Sequence, residues 1–476
     1  MLRAVRNLPV LILFTVFACG PSNRNSVGDN PDPNAPCNPG DSAKCYSGQA
    51  GTEDVGPCQG GKRTCDDTGA WGACVGEVVP HGEMCGDGVD NNCNGSVDED
   101  VDMDGDGVTT CQGDCCDSTE CSTPALVNAG AFDAPGNNFD DDCNGVVDDG
   151  VLLCDQGLPS GSLDAMDYAK AIDLCQTATM ADKKWGVISA TLTLADGMGT
   201  PATKAHSIRG HYGSGVMPKG GTNMAILSTG AAASVGDTNP AFEDLESGGG
   251  NNTSSPYPAD FVAANGGSLP NSPGCPEPDG NTANDPVMLT LTIRVPTNAK
   301  SFKLATNFFS SEFPEYTCSP YNDFFVVLLD SAYSGAPANP SDKNLAFFQP
   351  MGSTMKFPVG VNLAHGDTGL FTQCTNGATG CAFASSPGTI STCTSTTELS
   401  GTGLDTPTPF SCDDAALEGG GTGWLETSGN VNPGEIITLR IALWDTSDPY
   451  LDSLAVIDGF QWSVDTTQPG TVIFRK

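Results

Sequence analysis

The residues best able to do chemistry are oxygen donors gathered in one acidic stretch. Asp90-Asn91-Asn92-Cys93-Asn94-Gly95, Asp102-Met103-Asp104-Gly105-Asp106-Gly107 and Asp140-Asp141-Asp142-Cys143-Asn144-Gly145 all follow the pattern D-x-[DN]-x-[DN]-G. Carboxylate or amide oxygens at positions 1, 3 and 5, with glycine making a sharp turn at position 6, are how a flexible loop surrounds Ca²⁺. The expected ligands are Asp90, Asn92, Asn94 and Asp98 in the first loop and Asp102, Asp104 and Asp106 in the second. In the third they are Asp140, Asp142, Asn144 and Asp148. Position 12 carries no glutamate and no helical pattern flanks the loops, so they are not EF-hands. Asp114, Asp117, backbone carbonyls or water would complete the shells, with several ions in all.

One such match means little, but three within residues 90–145 carry weight. Residues 81–150 hold 18 Asp and Glu and not one Lys or Arg. A solvated acidic linker is the ordinary reading of such a run. Against it, carboxylates this dense repel one another unless divalent ions neutralise them, and apolar residues are too few to hold the segment shut. Copper or zinc capture is the rival chemistry. His81 lies near Cys85, but His206, His211 and His365 are far along the chain, and disulfide-bonded cysteines offer no thiolate.

Positioning these loops falls to a chain of 476 residues with 58 acids against 20 bases, a formal charge of −38. That balance argues against nucleic acid as a partner. Arg3 and Arg6 precede the apolar run 8–18, which reads as a signal peptide ending before Cys19. The motif VFACG resembles a lipobox, which would make Cys19 a lipidation site and the lipid a membrane anchor; plain secretion is the alternative. Without Cys19, 20 of the 21 cysteines remain, an even number that suits disulfides in an oxidising compartment. Thirteen lie in 37–154 and seven in 175–412. Both groups are odd, so full pairing needs a bridge across the boundary, and Cys154 to Cys175 is the shortest. The expected order is signal peptide 1–18, lipidated tether 19–36, small Cys-rich module 37–80, acidic metal-binding repeats 81–153, a linker with a short helix 154–180, and a β domain 181–476.

Strand signals dominate that last region. In VMLTLTIRV (287–295), Val287, Leu289, Leu291, Ile293 and Val295 alternate with Met288, Thr290, Thr292 and Arg294; IITLRIALW (436–444) alternates likewise. Without long helical patterns between the strands, a parallel α/β sheet is not expected. The fold class expected is mainly β: a C-terminal antiparallel β-sandwich of jelly-roll type, preceded by small disulfide-rich, Ca²⁺-binding irregular repeats.

CGDGVDNNCNGSVDED, DMDGDGVTTCQGDCCD and GNNFDDDCNGVVDDG resemble the metal-binding repeats of the MopE type and thrombospondin type 3 Ca²⁺ repeats. The Cys37–Cys74 block resembles the cysteine-rich leader before such repeats in myxobacterial surface lipoproteins. FFSSEFPEYTCSPYNDFFVVLLD (308–330), LWDTSDPYLDSLAVIDGFQW (443–462) and MAILSTGAA (224–232) resemble the choice-of-anchor L domain. That resemblance implies an exported β domain with no assigned catalysis. The acids Glu312, Glu315, Asp323, Asp445, Asp448, Asp452 and Asp458, with Asn322, could ligate a further Ca²⁺ on loops at one end of the sandwich. The expectation is a non-enzymatic Ca²⁺-binding lipoprotein of the outer membrane or cell surface, adhering to a surface glycan or protein. A polysaccharide hydrolase using Glu312 and Glu315 as acid and base is the alternative from another class.

Overall fold

The computed structural model describes residues 36–100, 102–117, 123–149, 153–246, 250–365, 368–382, 389–406, 412 and 418–474. The expected signal peptide 1–18 and the lipidation candidate Cys19 lie outside the described residues. The chain divides into two compact units between Asp100 and Val101, a division that falls inside the acidic segment.

The first unit is built on sulfur. Among its described residues one hairpin pairs β1 (Ser42–Cys45) with β2 (Gly61–Thr64) antiparallel. Cys45, Cys58, Cys65 and Cys93 are among its few buried apolar residues. The bridges Cys37–Cys65, Cys45–Cys74 and Cys58–Cys93 close it, the last tying the hairpin module to the first D-x-N-x-N-G loop. A core this small cannot offset chain entropy without such staples.

The second unit contains the other two loops and the β body. Helix α1 (Ala165–Ala171) starts where Asp164 accepts the Met166 amide at 3.0 Å, an N-cap. Its Tyr168, Ala169 and Ala171 are buried. Cys154–Cys175 brackets the helix, the bridge that cysteine parity predicted.

In chain order the remaining elements are β3 (Gly186–Thr193), β4 (His206–Arg209), β5 (Met224–Ser228), β6 (Ser254–Pro256), α2 (Ala259–Ala264), β7 (Thr282–Arg294), β8 (Ser301–Ser310) and β9 (Phe324–Asp330). The two-residue pairs β10 (Phe347–Phe348) with β11 (Phe357–Pro358), and β12 (Ala378–Thr379) with β13 (Thr389–Ile390), lie in long loops. The last elements are β14 (Gly420–Gly421), β15 (Leu425–Asn430), β16 (Ile436–Asp445), β17 (Ser453–Ser463) and β18 (Gly470–Ile473). One sheet runs β18-β15-β8-β17-β5-β4 with β14 beside β8; the other runs β3-β7-β16-β9 with β6 beside β7. Every pairing within them is antiparallel. Successive strands β7, β8, β9 and β15, β16, β17 cross between the sheets, the expected mainly β sandwich.

The alternation read from the sequence becomes the inner face: Leu289, Leu291 and Ile293 of β7 and Leu439, Ile441 and Leu443 of β16 pack with Phe302, Leu304 and Phe308 of β8. Each sheet is also covered outside. Tyr212, Leu399, Leu404 and Trp424 cluster with Met224 and Ile226 of β5 and Phe309 of β8, while Tyr257 and Phe261 cluster with Trp444 and Val326. This explains why β5 and β9 are apolar on both sides rather than alternating. Among the described residues no helix is long and apolar enough to cross a membrane.

Candidate metal centres

The three loops share one backbone conformation. The residue at position 4 has φ of 58° at Cys93, 81° at Gly105 and 60° at Cys143; the glycine at position 6 has φ of 95° at Gly95, 91° at Gly107 and 92° at Gly145. A side chain at position 6 would be strained in this left-handed region, which is why that place holds glycine. Asp90 accepts the amides of Asn94 and Gly95 at 3.0 and 2.9 Å, and Asp140 those of Asn144 and Gly145 at 3.0 and 2.8 Å. Asp102 accepts Gly105 and Gly107 at 2.6 and 2.9 Å. At position 3, Asn92, Asp104 and Asp142 each accept the amide of position 5. At position 5, Asn94, Asp106 and Asn144 each accept the amide of position 7. The predicted oxygens therefore wrap one turn in all three.

The first and third loops are twins, offset by 140 − 90 = 50 residues. Asp98 folds back to accept the amides of Gly86 and Gly88, and Asp148 those of Gly136, Asn137 and Asn138. Four acids that pattern reading overlooked complete the twins. Glu83 accepts the Asn92 amide at 2.8 Å, and Asp133 accepts the amides of Asp141 and Asp149. Glu99 takes the side-chain amides of Asn92 and Asn94, and Asp149 that of Asn144. Glu99 and Asp149 stand at position 10 of their loops, a signal that the search for position 12 passed over. Each loop cysteine bridges back to an earlier segment, Cys93 to Cys58 and Cys143 to Cys115. The second twin thus has bracing despite lacking a counterpart of Cys85, which is itself disulfide-bonded.

The second loop gathers the most charge. Ligand atoms of Asp102, Asp104 and Asp117, and of Asp104, Asp106 and Asp114, lie within 4.8 Å of one another. Asp117 accepts the amides of Met103 and Asp104, and Asp106 also takes the Asn128 side-chain amide at 2.6 Å. Burial, then the like charges of Asp106, Asp104 and Asp117, pushes Asp114 up to about 7. Burial also raises Asp104, Asp106, Asp133 and Asp142. Buried carboxylate oxygens of Glu83, Glu99, Asp104 and Asp114 have no hydrogen-bond partner. An ion with about six to eight oxygen ligands fits such unsatisfied acceptors.

The β-domain acids separate into groups that the sequence did not resolve. Glu312 lies with Asp323, Asp445 and Asp452 at one end of the sandwich, joined there by Asp285 beside Asp452. Glu315 instead meets Glu418 and Glu246. Asp458 accepts the amides of Lys219 and Gly220 and belongs to neither. Asn322 accepts the Asn362 amide at 2.7 Å, and Asp448 the Tyr450 amide at 3.1 Å. Cys275, Cys318 and His365 form a further group of close ligand atoms, but Cys275 and Cys318 are bridged, so they present no thiolate.

Residues 81–99 and 123–149 match the Cu-binding MopE family, described as a metal-binding motif. The two matched segments contain the twin loops with all four of the overlooked acids; the second loop falls between them. No curated protein and no solved structure matches the chain. The acidic repeats carry a metal-binding motif.

Proposed function

We propose that the protein is a non-catalytic, exported surface protein whose acidic repeats fold around Ca²⁺. The observation that carries this reading is the common turn of the three loops, with its convergent carboxylate and amide oxygens and unpartnered buried acceptors. Hard oxygen donors favour Ca²⁺ over copper, whose preferred imidazole and thiolate ligands are scarce here: Cys85, Cys93 and Cys143 are disulfide-bonded. Even so many bridges suit an oxidising compartment. Cys19 would carry the lipid anchor, and the β domain would meet a surface glycan or protein. The assignment of Glu312 and Glu315 to different carboxyl groups counts against their acting as the acid and base of a hydrolase.

Calorimetric titration of the chelator-treated full chain with Ca²⁺ and, separately, Cu²⁺ tests the reading. Expected is saturable binding of several Ca²⁺ with a gain in thermal stability. Stoichiometric Cu²⁺ binding without any Ca²⁺ heat would replace it by copper capture.

A further inference from the structure

A cavity of about 440 Å³ opens on the outer face of the sheet β3-β7-β16-β9, within the range of roughly 300–1,000 Å³ that small-molecule sites occupy. The pairing register builds its floor. Thr191 of β3 and Arg440 of β16 both stand opposite Thr290 of β7, and two residues along, Thr193 stands opposite Met288. Residues two apart share a face of a strand, and directly opposed ones have Cβ atoms about 4.5–5.5 Å apart. Leu289, Leu291, Leu439 and Ile441 take the inner face, so this row of hydroxyls faces out. Asp196 after β3, and Pro258, Ala259 and Asp260 at the start of α2, add the walls.

The polar wall is set in place by the protein itself. Asp260 takes Arg440 at two points, Nη1 at 3.0 Å and Nη2 at 2.6 Å, and Lys343 at 2.9 Å. Asp330 pairs with both bases as well. The guanidinium is thereby neutralised and held, yet its Nε is buried without a hydrogen-bond partner, and so is Thr193 Oγ1. Buried polar atoms left unpaired cost stability. A hydroxyl group in the cavity meets both needs, because it donates as well as accepts. Beside these atoms the lining residues Met288 and Pro258 are buried and apolar. Hydroxyl-bonding groups next to small apolar patches match a sugar ring, whose edge is hydroxyls and whose face is C–H.

Charge narrows the class. Arg440 is the one base among the described lining residues and is already paired, while Asp196 adds an exposed carboxylate. In a chain of formal charge −38, an anionic sugar or a phosphate meets no free cation here and general repulsion outside.

We propose that this cavity binds a neutral saccharide. Thr191, Thr193, Thr290 and Asp196 exchange hydrogen bonds with its hydroxyls, Arg440 gives its Nε–H, and Met288 lies against the ring. The site rests on the reading of the β domain as the part that meets a surface glycan, and adds to it a place and a charge class.

Saturation-transfer NMR on the full chain with Ca²⁺ present tests it, using cello-, manno- and galacto-oligosaccharides as neutral probes and an oligogalacturonate as the acidic one. Expected is transfer to at least one neutral probe and none to the acidic one. Thr191→Val with Thr290→Val removes two hydroxyls at nearly constant shape and should weaken binding about tenfold. Ala259→Trp, at an exposed lining position, should abolish binding by filling the mouth. Transfer to a neutral probe that persists undiminished in either variant overturns the site but leaves the β domain a glycan binder elsewhere. Preference for the oligogalacturonate also overturns it. Transfer to none of the probes removes the glycan reading together with the site and leaves the loop ions standing. Should the paired valines unfold the chain, Ala259→Trp decides alone.

Discussion

The acidic loops and the end of the sandwich both concentrate carboxylates without basic partners, yet they hold them in opposite ways. In the loops the acids are mostly part-exposed, and most of their oxygens accept amides from their own turn, as Asp90, Asp102 and Asp140 do. Charge there is spread over hydrogen bonds to amides, and disulfides supply what apolar packing does not. At the sandwich end Asp323 and Asp445 lie in the interior, among strands whose apolar contacts would persist without them. The difference teaches that a dense acidic sequence and a demanding acidic site are different things. Burial raises acids in both regions, but only the strand ends hold aspartates that are fully buried.

The comparison breaks most visibly through what holds each region. Replacing Cys58 and Cys93 by Ser removes a bridge spanning 35 residues, and chain entropy puts the loss near 4 kcal/mol. Chemical denaturation followed through Trp71 should show the first unit unfolding far earlier, with the β unit's transition unmoved. Ile441→Ala does the converse. That side chain is fully buried between the sheets, and the cavity should cost the sandwich about 3 kcal/mol in calorimetry, with or without Ca²⁺. If the cysteine variant lowers both transitions alike, the two units do not draw their stability from separate sources.

Much of this organisation was legible in the sequence because it is local. Alternation in β7 and β16 gave the inner face, parity gave Cys154–Cys175, and D-x-[DN]-x-[DN]-G gave a turn whose glycine has the required positive φ. What escaped was non-local. Glu83 and Asp133 reach their loops from outside the six-residue pattern. Asp285 lies far along the chain from Asp452, and Glu418 from Glu315, and only the fold brings each pair near. Glu312 and Glu315, three residues apart, diverge because the chain turns between β8 and β9, a feature periodicity cannot see.

The twins offer a sharper test within the loops. Asp140→Ala removes the acceptor of the Asn144 and Gly145 amides, and Asp90→Ala that of Asn94 and Gly95. Each should cost about 1–2 kcal/mol locally, as loss of an N-cap does, and weaken Ca²⁺ at its own loop by about tenfold or more. Calorimetric titration of both variants should show losses of similar size. A loss confined to one would mean that the shared turn does not imply a shared ion.

The smallest effect isolates buried charge from metal altogether. Glu246, Glu315 and Glu418 face one another, with Asp244 adding its charge and no base among the causes acting on them. Burial first, then mutual repulsion, pushes Glu246 up to about 8 and Glu315 up to about 9, with Glu418 also raised, against 4.5 for an ordinary glutamate. Folded-state values above the unfolded one mean that the native protein holds protons the unfolded chain has released. Their contribution to stability is therefore greatest below pH 4.5, declines as pH rises toward 8–9, and is level beyond. Thermal melts in chelator should show that decline, and Glu418→Gln should flatten it while raising stability at pH 8 by roughly 1 kcal/mol. Since glutamine cannot titrate and the strand-end aspartates are untouched, the difference between the two melts belongs to this trio. A variant with the same pH slope as the unaltered chain would show that these carboxyls remain solvated, and that desolvation at this end is confined to the acids around Asp445.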